Sequence, residues 1–261
     1  MYNEKNLRIY FEDEYCAIIY KRAGENSQTF FTTLFPEKSF IAAVNRLDIP
    51  VSGLLLLAFS AQVQTRFSHA FKQNTIKKEY WAICERTTAA SANTVSAQRL
   101  EHWLGFHTKS RKAFIGAPAG TAPAQGTGTD AVNDTKRRGT YAPIKRPKLN
   151  KAILYWSLCG KGLHYDFIRI LPETGRTHQI RVQMAHIGRP IKGDLKYGAR
   201  RSEPDGGIRL HSFALRFTHP ITGKRINVNA APMLPDTLWK DCIKACADSS
   251  AKHKADTDET D

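Results

Sequence analysis

Three segments of the chain carry side chains whose types suit chemistry on a nucleotide. Asp48 lies in NRLDIPVSGLLLLA, where Pro50 and Gly53 predict a turn immediately before an apolar strand, so its carboxylate is expected at the mouth of that strand. Tyr80 follows two lysines in KKEYWAI, and Arg176 and Arg181 belong to TGRTHQIRV. Taken alone, an aspartate before a strand is typical of a turn former. Together the segments supply an acid, an aromatic ring and cations that can contact phosphates.

Two metal sites are weaker alternatives. His178 and His186 are eight residues apart, too far for a metal pair on adjacent helical turns, although with Asp194 they would outline a hydrolase site. A second set consists of Cys242, Cys246 and His253, but two thiols four residues apart on a helix are more often half-buried small apolar groups. We therefore expect no metal ligands.

Periodicity predicts alternating strands and helices around these segments. Strands are expected on both sides of a turn within residues 6 to 20, and again at 54 to 58, in KKEYWAICE and in GLHYDFIRIL. Helices are expected after the cap Ser60, over 177 to 187 and over 235 to 247. LHSFALRF, THPITGK and RINVNA predict a hairpin.

Composition favours an intracellular protein that binds polyanions. The 261 residues contain 39 Lys and Arg against 24 Asp and Glu, a net charge of +15, which makes nucleic acid the leading partner. The longest uninterrupted apolar stretch, 54 to 59, is too short to cross a bilayer, and the N-terminal residues MYNEKNLRIYFEDEY lack the apolar core of a signal peptide. Five scattered cysteines fit a reducing compartment. We expect a cytoplasmic protein that does not bind membranes.

Domain organisation is predicted as one domain over 1 to 247, a flexible basic insertion at about 107 to 150, and an acidic disordered tail over 248 to 261. The insertion is rich in Ala, Gly, Thr and Pro and then becomes basic, so it could contact phosphates or could be a solvated loop without a role. The tail has five acids against two lysines, which leaves +18 on the rest of the chain.

The same segments resemble the signature regions of the RluA-type pseudouridine synthase family, in the same order. The family's HRLD-x-x-x-SG is matched by NRLDIPVSG, its K-x-Y by Lys78 to Tyr80, and its TGR-[ST]-HQ-[IL]-RV by Thr174 to Val182. GRPIKGDLKYG and LHSFALRFTHP match two further family motifs. The joint match is much more specific than any one motif.

The resemblance implies a function and a fold. It implies an RNA pseudouridine synthase that isomerises uridine in tRNA or ribosomal RNA without a cofactor. It also implies an α/β (α+β) domain built on a mixed, mostly antiparallel sheet with flanking helices. We expect a monomer. Because few residues precede the first strand, the small N-terminal RNA-binding domain of several relatives is expected to be absent.

The resemblance also assigns roles to individual residues. Asp48 matches the nucleophile that breaks the bond between ribose and base, and a carboxylate can capture or stabilise a sugar-centred cation. Tyr80 matches the aromatic residue that stacks on the target base. Arg181 matches the arginine that pairs with the catalytic carboxylate and would keep it ionised. Arg46 matches a residue thought to fill the space left by the flipped uridine. The remaining predicted RNA contacts are Lys78, Arg176 and His178.

Two positions depart from the family pattern, and two other functions stay open. Asn45 stands where the family usually has His, and Arg22 stands where it has Pro. The alternatives are a non-catalytic RNA-binding protein on the same fold and a metal-dependent RNA hydrolase. Intact Asp48, Tyr80 and Arg181 argue against the first, and a chelator would inactivate only the second.

Overall fold

The computed structural model describes residues 8–86, 96–117, 148–233 and 235–258. These residues form eleven strands that hydrogen-bond into one sheet, in the order β1-β2-β4-β10-β5-β9-β8-β6-β7, with β3 beside β4 and β11 beside β10. The strands are β1 (Ile9–Glu12), β2 (Cys16–Lys21), β3 (Ala42–Ala43), β4 (Ser52–Ala58), β5 (Lys77–Glu85), β6 (Gln98–His107), β7 (Lys112–Gly116), β8 (Asn150–Lys161), β9 (Tyr165–Pro172), β10 (Leu210–Thr218) and β11 (Arg225–Asn229).

The sheet is mixed but mostly antiparallel, which confirms the expected fold class. Among the pairings between these strands, only β10 with β4 is parallel. At that pairing a side chain on Gly53 would overlap the backbone of Ser212, since a Cβ atom at position 53 would lie 2.3 Å from the Ser212 carbonyl oxygen. Gly53 also has a φ of +117°, which favours glycine. This glycine therefore lets β4, the strand that follows Asp48, approach β10 closely.

Three α-helices flank the described sheet: α1 (Ala61–Lys72), α2 (Gln179–His186) and α3 (Thr237–Asp258). Helix α1 begins at the cap Ser60, whose hydroxyl accepts a hydrogen bond from the backbone of Val63. Its apolar residues pack on one face of β2 and β4, while α2 packs Ile180 and Met184 into the core on the other face. Both faces of the sheet's centre are thus covered. Within these described ranges, no helix has the length and hydropathy needed to span a membrane.

Most predicted elements are present, and the differences lie in the long insertion and at the end of the chain. The strand pair at the start, the helix after Ser60, β5, β9, α2 and the β10–β11 hairpin are confirmed. The predicted insertion begins too early, because 112 to 116 form β7 and pair with β6. The strands β6 and β8 on its two sides were not predicted. Residues 118 to 147, which make up most of the insertion, lie outside the described residues, as do 1 to 7.

The predicted disordered tail differs from the structure over most of its length. Helix α3 runs to Asp258, eleven residues past the predicted boundary at 247. No Gly or Pro interrupts the sequence from Thr237 to Asp258, so acidic composition alone does not end the helix. Residues 259 to 261 and the side chain of His253 lie outside the described part of the chain.

Candidate active site

A cavity of about 530 Å³ opens between the loop that carries Asp48 and the start of α2. All seven residues predicted for catalysis or RNA binding line this cavity: Arg46, Asp48, Lys78, Tyr80, Arg176, His178 and Arg181. They come from three separate segments of the sequence, which the sheet brings together. The roles assigned to them from the resemblance remain proposals.

Hydrogen bonds fix the loop that presents Asp48. The carbonyl of Asp48 accepts from the backbone of Val51 at 2.9 Å, which closes the turn predicted by Pro50. The ammonium of Lys21, which is fully buried, donates to the carbonyls of Arg22, Ile49 and Val51. Burial lowers the pKa of Lys21 to about 8. The hydrogen bonds of Lys21 therefore hold the Asp48 loop in place, a role that no sequence pattern suggests.

Arg181 joins two carboxylates. Its Nε and Nη2 donate to the two oxygens of Asp194 at 2.7 and 2.8 Å, and its Nη1 donates to Asp48 at 3.0 Å. The two hydrogen bonds to Asp194 hold the planar guanidinium in one orientation, so that its remaining edge faces Asp48. The paired acids raise the pKa of Arg181 against the opposing effect of burial, and it stays charged.

His178 lies beside the same carboxylate in a strained backbone conformation. Its φ is +55°, in the left-handed region, at the residue that precedes α2. The hydroxyl of Tyr197 accepts from the backbone of Ala113 and forms a hydrogen bond of 2.8 Å with Nδ1 of His178, which holds the ring in place. The other ring nitrogen, Nε2, is 3.8 Å from Asp48. Burial lowers the pKa of His178, which favours the neutral ring.

Tyr80 and Lys78 form the floor of the cavity. Both side chains extend from the same face of β5 and are nearly buried, with 8% and 9% of their surface exposed. Burial raises the pKa of Tyr80 to about 12, so its phenol is neutral. An apolar ring of this kind at the base of a cavity offers a stacking surface for a planar base.

Arg46 and Arg176 are exposed at the mouth of the cavity. Arg46 reaches across to the hydroxyl of Thr177 at 3.4 Å. Arg176 donates to the carbonyl of Lys151, and its own backbone N–H donates to the side chain of Gln179. Gln179 also accepts from Thr174, so the turn before α2 is held by its own polar side chains. Both arginines keep charge available for phosphates.

Of the two departures from the family pattern, Asn45 lines the cavity and Arg22 lies outside it. The side-chain oxygen of Asn45 accepts from the backbone of Leu56 at 2.8 Å, which ties the Asp48 loop to β4. The backbone of Arg22 donates to Glu25. Neither residue replaces a group that faces Asp48.

The residues proposed for a metal-dependent hydrolase do not come together. The Asp194 carboxylate is held by Arg181, and the His186 ring packs against His102, away from His178. Arg189, three residues after the end of α2, pairs with buried Asp166 outside the cavity.

Another set of possible metal ligands lies elsewhere in the described residues, where Asp13, Cys16 and His219 approach one another. Nδ1 of His219 accepts from the backbones of Ile221 and Thr222, so Nε2 carries the hydrogen that donates toward Asp13. A metal ion at Nε2 would have to displace that hydrogen, which makes this cluster a structural tie.

Three residues that hold the catalytic groups in position are not predicted to do so from the sequence: Lys21, Asp194 and Tyr197. Asp194 is considered there only as a metal ligand, and Tyr197 and Lys21 have no predicted role. The signal for Asp194 and Tyr197 is present, because both belong to GRPIKGDLKYG, which matches a family motif without an assigned function. No motif marks Lys21.

Known proteins are similar to this chain in sequence. The family model for RNA pseudouridylate synthase matches residues 15–186. The chain is 27% identical over 240 residues to ribosomal large subunit pseudouridine synthase D of Vibrio parahaemolyticus, covering 85% of this chain and 62% of that protein. It is 29% identical over 255 residues to tRNA pseudouridine synthase C of Pasteurella multocida, covering 91% of this chain and 95% of that protein.

A solved structure supports the fold. Human RNA pseudouridylate synthase domain containing 1 superposes with a TM-score of 0.62 at 19% identity, covering 90% of this chain and 86% of that one. The family match extends over Asp48, Tyr80 and Arg181, the three residues predicted to carry the chemistry. The chain belongs to the RNA pseudouridylate synthase family.

Proposed function

We propose that this protein is an RNA pseudouridine synthase, an isomerase that converts uridine within RNA to pseudouridine. The observation that supports this most strongly is the pairing of Asp48 with Arg181 inside the cavity, in a chain of this family. Relatives named for ribosomal RNA and for tRNA make both RNAs candidates. The five free cysteines fit a cytoplasmic location, which we propose as well.

In this proposal, Asp48 attacks C1′ of the target ribose. Its carboxylate is 24% exposed, so a substrate can reach it, while Arg181 stabilises its negative charge from the buried side. The bond from C1′ to N1 of uracil breaks and a bond from C1′ to the carboxylate forms. The base then turns, and its C5 replaces the carboxylate on C1′. C5 loses its proton and N1 gains one, so the reaction is an isomerisation that needs no net reagent.

Other cavity residues bind and position the RNA. Tyr80 stacks on the base, and neutral His178 donates a hydrogen bond toward Asp48 or the ribose. Arg46 and Arg176 bind phosphates at the mouth, where Arg46 can also fill the space left by the flipped nucleotide. Flipping is required because the floor of the cavity cannot reach a base that remains stacked.

The test is pseudouridine mapping on unmodified RNA. The purified protein is incubated with transcribed tRNA and with ribosomal RNA, a chelator is present, and pseudouridine is detected chemically at single-nucleotide resolution. New pseudouridine at discrete sites is the expected result. RNA binding without pseudouridine in either RNA would favour the non-catalytic alternative, and mapping in cells with and without the gene would then identify any missing substrate.

A further inference from the structure

Lys78 lines the cavity but has no role in the reaction proposed above. It precedes Tyr80 by two residues on β5, so the two side chains lie on the same face of the strand, about 7 Å apart along it. Only 9% of Lys78 is exposed, and its side chain reaches into the cavity beside Gly175. The adjacent Lys77 is exposed.

The side chain of Lys78 is mostly buried, and its ammonium borders the cavity without a counter-charge from the described residues of the protein. In the described part of the chain it forms no ion pair or hydrogen bond, and it lies 5.8 Å from the centre of the Phe71 ring. By contrast, buried Lys21 donates to three carbonyls and buried Arg181 to two carboxylates. Burial, with repulsion from Lys77, lowers the pKa of Lys78 to about 8. A cation that faces a cavity without a protein counter-charge is available to a negatively charged group of a ligand, and desolvation on ligand binding strengthens that interaction.

The position of Lys78 selects among the negative groups of a bound nucleotide. Phosphates stay near solvent, where exposed Arg46, Arg176 and Lys72 already surround the mouth of the cavity. Lys78 is nearly buried and lies on the same face of β5 as Tyr80, on whose ring the proposed function stacks the base. The group next to that ring is the uracil itself.

Uracil becomes negatively charged during the proposed reaction. When the bond between C1′ and N1 breaks, its electron pair leaves with the base, and the charge spreads from N1 onto the carbonyl oxygens O2 and O4. We propose that the ammonium of Lys78 donates a hydrogen bond to a carbonyl oxygen of the departing uracil and stabilises this anion. Lys78 keeps its proton throughout, and the charge disappears when C5 bonds to C1′ and N1 is protonated. The inference rests on the proposed function.

A leaving-group comparison tests this role. Lys78→Met keeps the length of the side chain and removes its charge, and Lys77→Met is the matched control that removes a neighbouring charge outside the cavity. Cleavage of the N-glycosidic bond is followed in single turnovers at saturating RNA, with either uridine or 5-fluorouridine at the target position. Fluorine withdraws electrons and stabilises the departing base by itself, so the 5-fluorouridine substrate depends less on an external cation.

The expected result is a difference between the two substrates. Removing one donor to a developing negative charge costs about 100-fold in rate. Lys78→Met should therefore lose about 100-fold with uridine, and the loss should shrink to about tenfold or less with 5-fluorouridine. Lys77→Met should keep the wild-type rate with both. If Lys78→Met does not fold, Lys78→Gln, which is neutral and polar, gives the same comparison.

Other outcomes overturn the inference without touching the proposed function. An equal loss with both substrates would mean that Lys78 does not act on the base. A weaker RNA affinity with an unchanged rate at saturation would make Lys78 a phosphate contact. Wild-type protein that produces no pseudouridine at all would instead refute the proposed function itself.

Discussion

Arg181→Met should destabilise the protein mainly through Asp194 and only slightly through Asp48. Asp194 is 1% exposed and its carboxylate forms no other ion pair among the described residues, so the substitution leaves a buried carboxylate without its cation. Removing one partner of such a pair costs about 3–5 kcal/mol. Asp48 is 24% exposed, and water replaces much of what it loses, which limits its contribution to about 1 kcal/mol or less.

This difference predicts a specific pattern in unfolding experiments. Arg181→Met should lower the free energy of unfolding by about 4 kcal/mol and the melting temperature by about 8–16 °C. Asp48→Asn should cost less than about 1 kcal/mol. The double variant Arg181→Met with Asp194→Asn contains no unpaired buried charge, so it should be about 2 kcal/mol more stable than Arg181→Met alone.

Urea unfolding followed by tryptophan fluorescence measures the wild type and each variant, and RNA affinity and turnover are measured at a temperature where each is folded. Turnover of Arg181→Met should fall far more than its RNA affinity. Even if Arg181 also contacted a phosphate, it would be one such contact among many, and its removal would reduce the affinity only slightly. The reasoning would be refuted if Asp48→Asn and Asp194→Asn destabilised the protein equally, or if the double variant lost the sum of the single effects. Equal proportional losses of turnover and affinity in Arg181→Met would make Arg181 a phosphate ligand.

Three further predictions concern the hydrogen bonds of Lys21 to the Asp48 loop, the insertion, and the effect of the positive net charge on RNA binding. Lys21→Met removes three hydrogen bonds to backbone carbonyls, so the free energy of unfolding should fall by about 2 kcal/mol. Its kcat should fall while its RNA affinity, measured by filter binding, stays the same, and an unchanged kcat would contradict the role of Lys21 in holding the loop. Replacing 118 to 147 by about four Gly and Ser residues should leave stability and intrinsic chemistry unchanged and weaken RNA binding. A short link suffices because Gly116 and Asn150 lie on opposite sides of β6, about 10 Å apart. RNA affinity should fall steeply between 50 and about 200 mM salt, and a flat titration would argue against phosphate contacts.

Local patterns in the sequence predicted the elements that carry the site. The cap Ser60, the apolar run before it and the turn residues around Asp48 act over a few residues, and each is confirmed. The strands β6 and β8 have a usable signal too. In β8, residues Ala152, Leu154, Trp156 and Leu158 are buried in strict alternation, but the low-complexity sequence beside them favours an insertion instead.

The contacts that hold the catalytic residues in position could not be predicted in the same way. Lys21 and Ile49 are 28 residues apart, and Arg181 meets Asp48 across 133 residues of sequence. Such contacts depend on how β2, β4 and α2 pack, which periodicity does not encode. The resemblance to a family predicted that Arg181 pairs with Asp48. No pattern predicted that Lys21 holds the Asp48 loop, and this role is evident only from its three hydrogen bonds.

The activity of Asp48→Asn tests the central claim most directly. The amide keeps an oxygen that can accept from Arg181, and the turn is closed by the backbone, so fold and RNA affinity should match the wild type. Turnover should fall by several powers of ten, because an amide can neither bond to C1′ nor stabilise a sugar cation. Pseudouridine is mapped in a tRNA and ribosomal RNA pool that the wild type modifies, with a chelator present. Loss of pseudouridine with retained binding is the predicted result, and wild-type activity in Asp48→Asn would contradict the account.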